Sequence, residues 1–214
     1  MITYHKIQTM FKREMKNNGK IIIGEWSLPE FEYMKNNEWV FTEKVDGTNI
    51  RVMWNGKSVI FGGKTDNAQL PMDLITALQN MFDNTPKRKL FADIFPLKEG
   101  EQTEVCLYGE GYGAGIQKGG IYRPDKSFVL FDVLVGKYWL QREDVENIAS
   151  KLGIDIVPVV GIGTLEQGIE LVRKGMKSNW GDFISEGIVA RPRVELRTRI
   201  NDRLITKIKY RDFI

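Results

Sequence analysis

The chain has 214 residues, 42% of them hydrophobic and 28% charged, with a net charge of +3. That is enough apolar chain for one large core or two small ones, and the short apolar runs exclude a bilayer-spanning helix. A single cysteine, Cys106, excludes an internal disulfide, and a single histidine, His5, excludes a Cys2His2 zinc site.

The elements read in chain order as strands mixed with helices. Residues 39–44 form an apolar strand ending in Glu43-Lys44. Residues 50–54 and 58–61 flank Asn55-Gly56, which predicts a two-residue type I′ hairpin. Residues 71–82 predict a helix, with Pro71 near its start and Leu74, Ile75, Leu78, Met81 and Phe82 on one face. Residues 105–110 and 128–135 predict strands, and Cys106 reads as a buried strand thiol. Residues 142–152 predict a helix stopped by Gly153. A short strand at 157–160 is followed by Thr164-Leu165-Glu166-Gln167, a capping box opening a helix to about Lys174. Strands at 184–190 and 204–210 close the chain. Strands and helices do not alternate strictly. The predicted class is therefore α+β, with antiparallel sheets flanked by helices, in one domain over 1–214.

With one histidine, Ser-His-Asp and Cys-His catalysis are excluded unless His5 carries them. Chemistry must run on Lys, Arg, Asp, Glu or a metal. Lys44 sits at a strand end in Glu43-Lys44-Val45-Asp46-Gly47-Thr48-Asn49. A lysine becomes a nucleophile only where the neutral amine is favoured, by desolvation or by nearby positive charge. Lys207, Lys209 or a bound metal could supply that charge. The heptapeptide alone reads more readily as a β-turn carrying a surface lysine than as a nucleophile. Downstream, four glycines fall within residues 109–115 around Glu110. Glycine at that density suits a backbone that approaches a ligand, or simply a loose loop. Glu186-Gly187 precedes an apolar strand, where one carboxylate could hold Mg²⁺ largely through water. Lys207 and Lys209 lie two apart on a strand and share a face. They suit a phosphate group or a solvent-facing strand edge. The segment 187–214 carries eight Lys/Arg against three Asp/Glu, which points to a polyanionic partner.

Taken together and in this order, these motifs resemble the covalent nucleotidyltransferases: ATP-dependent DNA ligases, RNA ligases and mRNA capping enzymes. Within them, the chain is most similar to the RNA ligases that include the phage enzyme sealing nicks in double-stranded RNA and the trypanosome RNA-editing ligases. The resemblance rests on Glu43-Lys44-x-x-Gly47-Thr48-Asn49, Gly109-Glu110, residues 113–118, Phe128-Val129-Leu130-Phe131-Asp132, Glu186-Gly187-Ile188-Val189 and Lys207-Ile208-Lys209. Asn49 stands where DNA ligases and capping enzymes usually carry arginine.

The resemblance implies an ATP-grasp-like nucleotidyltransferase domain. It implies an ATP-dependent RNA ligase that joins a 5′-phosphate to a 3′-hydroxyl through lysyl-AMP. A DNA ligase or a GTP-using capping enzyme is the alternative. Lys44 would take AMP, and Glu186 would hold Mg²⁺ or Mn²⁺. Lys207 and Lys209 would meet the phosphates. Glu43, Asn49, Glu110 and Phe128 would bind the nucleotide, Phe128 by stacking on adenine. Lys64 stands about where the family carries arginine. The implied partners are RNA ends, nicked or duplex and in some cases containing DNA. The implied setting is a monomer in the cytoplasm, a host's if the chain is phage-encoded. Family members usually continue into a further domain after the Lys-x-Lys strand, so this chain reads as the catalytic domain alone.

Overall fold

The computed structural model describes residues 3–14, 16, 18–96 and 104–214. Its strands are β1 (Gln8–Thr9), β2 (Phe11–Glu14), β3 (Lys20–Trp26), β4 (Trp39–Glu43), β5 (Thr48–Trp54), β6 (Val59–Gly62), β7 (Val105–Tyr112), β8 (Ser127–Val135), β9 (Tyr138–Trp139), β10 (Asp155–Ile156), β11 (Val159–Gly163), β12 (Gly187–Pro192) and β13 (Thr206–Lys209). Its helices are α1 (Pro29–Tyr33), α2 (Met72–Phe82), α3 (Thr85–Ile94), α4 (Arg142–Leu152) and α5 (Leu165–Arg173). The fold is α+β, as the sequence predicts. No helix among the described residues is long and apolar enough to cross a membrane.

The chain folds as two compact units: Met1–Tyr4 with Asp46–Val157, and His5–Val45 with Pro158–Ile214. The first unit holds a sheet in the order β10-β8-β7-β5-β6, with β9 on β8. Its pairs are antiparallel except β10 with β8. One face packs on helices, where Ile50, Val52, Leu107 and Leu130 meet Leu74 and Leu78 of α2, Phe91 of α3 and Leu152 of α4. Tyr108 points away from that core and joins Tyr4 and Trp139 in a ring cluster. There the Tyr4 hydroxyl donates to the buried Asp132 carboxylate at 2.8 Å. Cys106 is buried in β7, and burial pushes its thiol up to about 12.

The second unit holds a sheet in the order β1-β13-β12-β4-β11 and a separate β2–β3 hairpin. β4 alternates: Trp39, Phe41 and Glu43 are buried, and the residues between them are half-buried. Trp39 and Phe41 pack with Ile188, Ile208, and Leu165 and Val172 of α5. α5 opens with the predicted capping box, with Thr164 and Gln167 bonding each other's backbone N–H. α4 covers the predicted residues and stops at Gly153, whose φ of 62° is left-handed.

Three readings need correction, and one helix was not foreseen. The β5–β6 connection is not a two-residue type I′ turn, because Trp54 pairs with Val59 and leaves residues 55–58 as the loop. Only Gly56 among them has positive φ, whereas type I′ needs two such residues. The Asn55 side chain closes this loop, accepting from the N–H groups of Lys57 and Ser58 at 3.0 and 2.9 Å. The strand expected at 157–160 is split into β10 and β11 around Pro158, which has no N–H for a ladder. The strand expected at 184–190 begins instead at Gly187. Finally, α3 was not foreseen, although Asn84 caps it by accepting from the Lys87 N–H at 3.0 Å.

Candidate active site

In the second unit, backbone pairing brings Lys44 and Glu186 together. The Lys44 N–H donates to the Gly187 carbonyl at 2.9 Å, extending the β4–β12 ladder. On the other side of Glu186, the Tyr210 N–H donates to the Glu186 carbonyl at 2.8 Å. Gly187 has φ of +150°, and a Cβ there would press on the backbone of Ile208 and Lys209. Only glycine lets β12 start this close to β13. Glu186 therefore sits between Lys44 and the end of β13.

Its carboxylate takes one lysine on each oxygen. Lys44 Nζ lies 2.6 Å from Oε2 and Lys209 Nζ lies 2.5 Å from Oε1. The three side chains are 19%, 16% and 11% exposed for Lys44, Lys209 and Glu186. Lys207 lies two residues before Lys209, on the same half-buried face of β13. Two lysines on one carboxylate, with Lys207 two residues along the same strand, leave a local positive excess suited to an anion. The end of β13 is held in turn by Asp212, which accepts from the Lys209 N–H at 3.1 Å and pairs with Arg13 at 2.8 Å.

Glu43 is not part of this cluster. It shares the buried face of β4 with Trp39 and Phe41. Its Oε2 accepts from the backbone and side-chain N–H groups of Asn179 at 2.9 and 3.1 Å. Its Oε1 is buried with no partner, a state that costs about 1–3 kcal/mol until a donor arrives.

In the first unit, Asn49 and Glu110 stand directly opposite each other on β5 and β7. Asn49 Oδ1 is also buried without a partner. Gly47 lies close against this pair, and a Cβ there would press on the Gly111 carbonyl and on Glu110 Cγ at 2.8 Å. Lys64 is exposed. Its loop leaves β6 at Gly62, which pairs with Arg51, toward the end of β5 that carries Asn49.

Sequence reasoning missed Arg51, which holds that loop. It is 1% exposed, and its Nε donates to the Gly63 carbonyl at 2.8 Å. Its Nη2 pairs with Asp66 at 2.7 Å, and the hydrogen bond from this guanidinium holds the Asp66 carboxyl below the usual range. The available signal was a charged residue inside the apolar run Ile50-Arg51-Val52, where an arginine needs dedicated partners.

Phe128 departs from its expected role. It is fully buried, edge-on to Phe82 with ring centroids 5.3 Å apart, and it fills the space left by Gly109 on the neighbouring strand. Stacking on a ligand needs an exposed ring face, and here the helix-side core occupies that ring.

Among the described residues, no group of three or more His, Cys, Asp or Glu could hold a metal. Glu186 could supply one carboxylate, leaving the other positions to water and phosphate oxygens. That donor set fits Mg²⁺ or Mn²⁺ bound together with a nucleotide. A groove of about 580 Å³ in the first unit, lined in part by Asp73, Arg123, Asp125, Lys126 and Asp155, contains none of the predicted residues. Its cations are already paired, Lys126 with Asp73 at 3.1 Å and Arg123 with Asp125 at 2.8 Å.

Residues 37–209 match the family model described as RNA ligase. No curated protein sequence matches the chain. Among solved structures, the chain is similar to Naegleria gruberi RNA ligase in several states. A lysine-to-alanine variant with ATP and manganese gives a TM-score of 0.63 at 15% identity, covering 98% of this chain and 59% of that one. The complex with pyrophosphate gives 0.63 at 15% identity, covering 97% and 57%. An apo aspartate-to-alanine variant gives 0.64 at 15% identity, covering 99% and 58%. The chain thus spans less than two thirds of the length of the Naegleria enzyme. At this identity the likeness establishes the nucleotidyltransferase fold of that ligase. The family model covers most of the chain, and on that match the chain belongs to the RNA ligase family.

Proposed function

We propose that this protein is an ATP-dependent RNA ligase that works through lysyl-AMP on Lys44. The observation that carries the reading is the pair of lysine amines, Lys44 and Lys209, held on the two oxygens of Glu186. The Lys44 amine attacks the α-phosphate of ATP. The Lys44 ammonium first gives a proton to water; a bond from Nζ to phosphorus then forms as the bond to pyrophosphate breaks, and the second proton on nitrogen leaves to water. AMP then passes to the 5′-phosphate of an RNA end, and a 3′-hydroxyl displaces it to make the phosphodiester. Lys207 and Lys209 neutralise phosphate charge, the kind of fixed electrostatic help that dominates such transfers. A divalent cation bound by Glu186 would shield the phosphates and relieve the carboxylate's hold on both ammonium groups.

The remaining roles follow the chemistry of each side chain. Asn49 and Glu110 offer acceptors to ribose hydroxyls. Glu43, buried on the core face of β4 and held by Asn179, fixes the strand end that carries Lys44. Lys64, on the loop braced by Arg51, contacts a phosphate. The substrate proposed is nicked or duplex RNA, as in the nick-sealing and RNA-editing ligases. The Naegleria structures with ATP and with pyrophosphate, the by-product of lysine adenylylation, support this reading.

Incubation with α-labelled ATP and Mg²⁺ or Mn²⁺ tests it. The expected result is an acid-labile AMP adduct on the protein. A GMP adduct instead would move the assignment to capping chemistry, and no adduct from folded protein would overturn it. Lys64→Ala should slow overall ligation by ~100-fold, the usual cost of removing one charge-stabilising donor. Near-normal ligation by that variant would remove Lys64 from the site.

A further inference from the structure

We propose that residues 193–203, the turn joining β12 to β13, form the docking element for the duplex RNA arm flanking the joint. This inference rests on the ligase reading and names where its substrate lies. β12 begins just after Glu186 and β13 ends at Lys209, so the two strands diverge from the site into this turn. Glu186 and Pro192 are separated by six residues of strand, or ~20 Å at the usual rise. The turn therefore stands about one strand length from the reacting centre, on the same rigid strand pair.

The turn is built rather than loose. Arg197 and Arg203 form an antiparallel bridge, and the Leu204 N–H donates to the Leu196 carbonyl at 2.9 Å. The Thr198 N–H donates to the Asp202 carbonyl at 2.8 Å, and Asn201 takes the left-handed φ of 66° that the tight end requires. Glu195 braces it from within, pairing with Arg203 at 2.6 Å and Arg197 at 3.5 Å.

What this scaffold presents is a cation beside an apolar tip. Residues 193–203 contain four arginines against two acidic residues. Arg199 makes no ion pair among the described residues, and the adjacent Ile200 is 79% exposed. Val194 is also 71% exposed. Arg199 therefore offers an uncommitted guanidinium, flanked by the exposed Val194 and Ile200. The pair of Arg199 and Ile200 suits the wide, shallow minor groove of A-form RNA, where a guanidinium can meet phosphates and 2′-hydroxyls while Ile200 packs by shape against the ribose. Arg193 pairs with Glu38, and Arg197 and Arg203 share Glu195, so Arg199 is left for a polyanion, and RNA is the polyanion the proposed reaction supplies.

The test measures binding of nicked duplex RNA to the wild-type protein, Arg199→Ala and Ile200→Ala as a function of salt. Self-adenylylation with ATP is measured in parallel. With arms longer than ~20 Å on each side of the nick, Arg199→Ala should bind about tenfold more weakly. Its slope of log affinity against log salt should fall by about 1. Ile200→Ala should weaken binding with an unchanged slope. Both variants should form lysyl-AMP at the wild-type rate. With arms shorter than that span, variants and wild type should bind alike. Equal affinity for long-armed duplex in variants and wild type would overturn the proposal. So would a loss of binding confined to single-stranded RNA, or wild-type protein that binds no RNA. Missing lysyl-AMP alongside the expected binding loss would sink the catalytic reading and leave the docking element standing.

Discussion

Lys44→Ala should abolish the AMP adduct, and Glu186→Ala should slow its formation by at least ~100-fold. The two effects have different origins. In the proposed reaction Lys44 supplies the bond-forming nitrogen, and neither Lys207 nor Lys209 can replace it, because each is held on β13. Glu186 forms no bond in the step, but both of its oxygens are engaged by lysines at 2.5–2.6 Å. Removing it leaves Lys44 and Lys209 as neighbouring like charges with no carboxylate between them. Both side chains then lose their fixed positions, and loss of position alone can cost a factor of ~100. Glu186→Gln keeps the shape and removes the charge, so it separates packing from electrostatics. Single-turnover labelling with α-labelled ATP reads the rate, and circular dichroism confirms the fold. Wild-type adduct formation by folded Glu186→Ala would remove this carboxylate from the chemistry.

Phe128→Ala should destabilise the protein by about 3–5 kcal/mol, the usual cost of deleting a fully buried phenylalanine ring. For a chain of this size that is a fall in melting temperature of roughly 6–20 °C. The ring is fully buried, packs edge-on to Phe82 and occupies the gap over Gly109, so its deletion opens a cavity that rigid strands cannot close. The KM for ATP, measured below the lowered melting point, should change little. A stacking residue would give the reverse pattern, with ATP affinity lost and melting temperature unchanged. Thermal denaturation and ATP titration of one variant therefore separate core from ligand contact.

Much of the fold was legible because its signals are local. The 3.6-residue apolar spacing of α2, the capping box of α5 and the stop at Gly153 each depend on residues a few positions apart. The failures are also physical. The Asn55 side chain took over backbone bonds that the dipeptide pattern assigns to a two-residue turn. Pro158 broke a run whose apolar pattern reads as continuous. The aromatic pattern around Phe128 shows that rings alternate along a strand, but not which face the helices cover.

The sequence by itself marked the family, through the order of Lys44, Glu110, Glu186, Lys207 and Lys209. One histidine and one cysteine turned the proposed chemistry toward lysine and carboxylates. Only the tertiary structure decided how Lys44, Glu186 and Lys209 meet. Lys44 and Glu186 are 142 residues apart, and their contact depends on β4, β12 and β13 pairing in one register with glycine at position 187. A one-residue slip of β12 would turn Ile188 and Ala190 out of the core and lift Glu186 away from both lysines. Such pairings join distant segments through backbone bonds that carry no residue code. The same is true of Arg51, whose partners Gly63 and Asp66 come within reach only once β5 and β6 have paired.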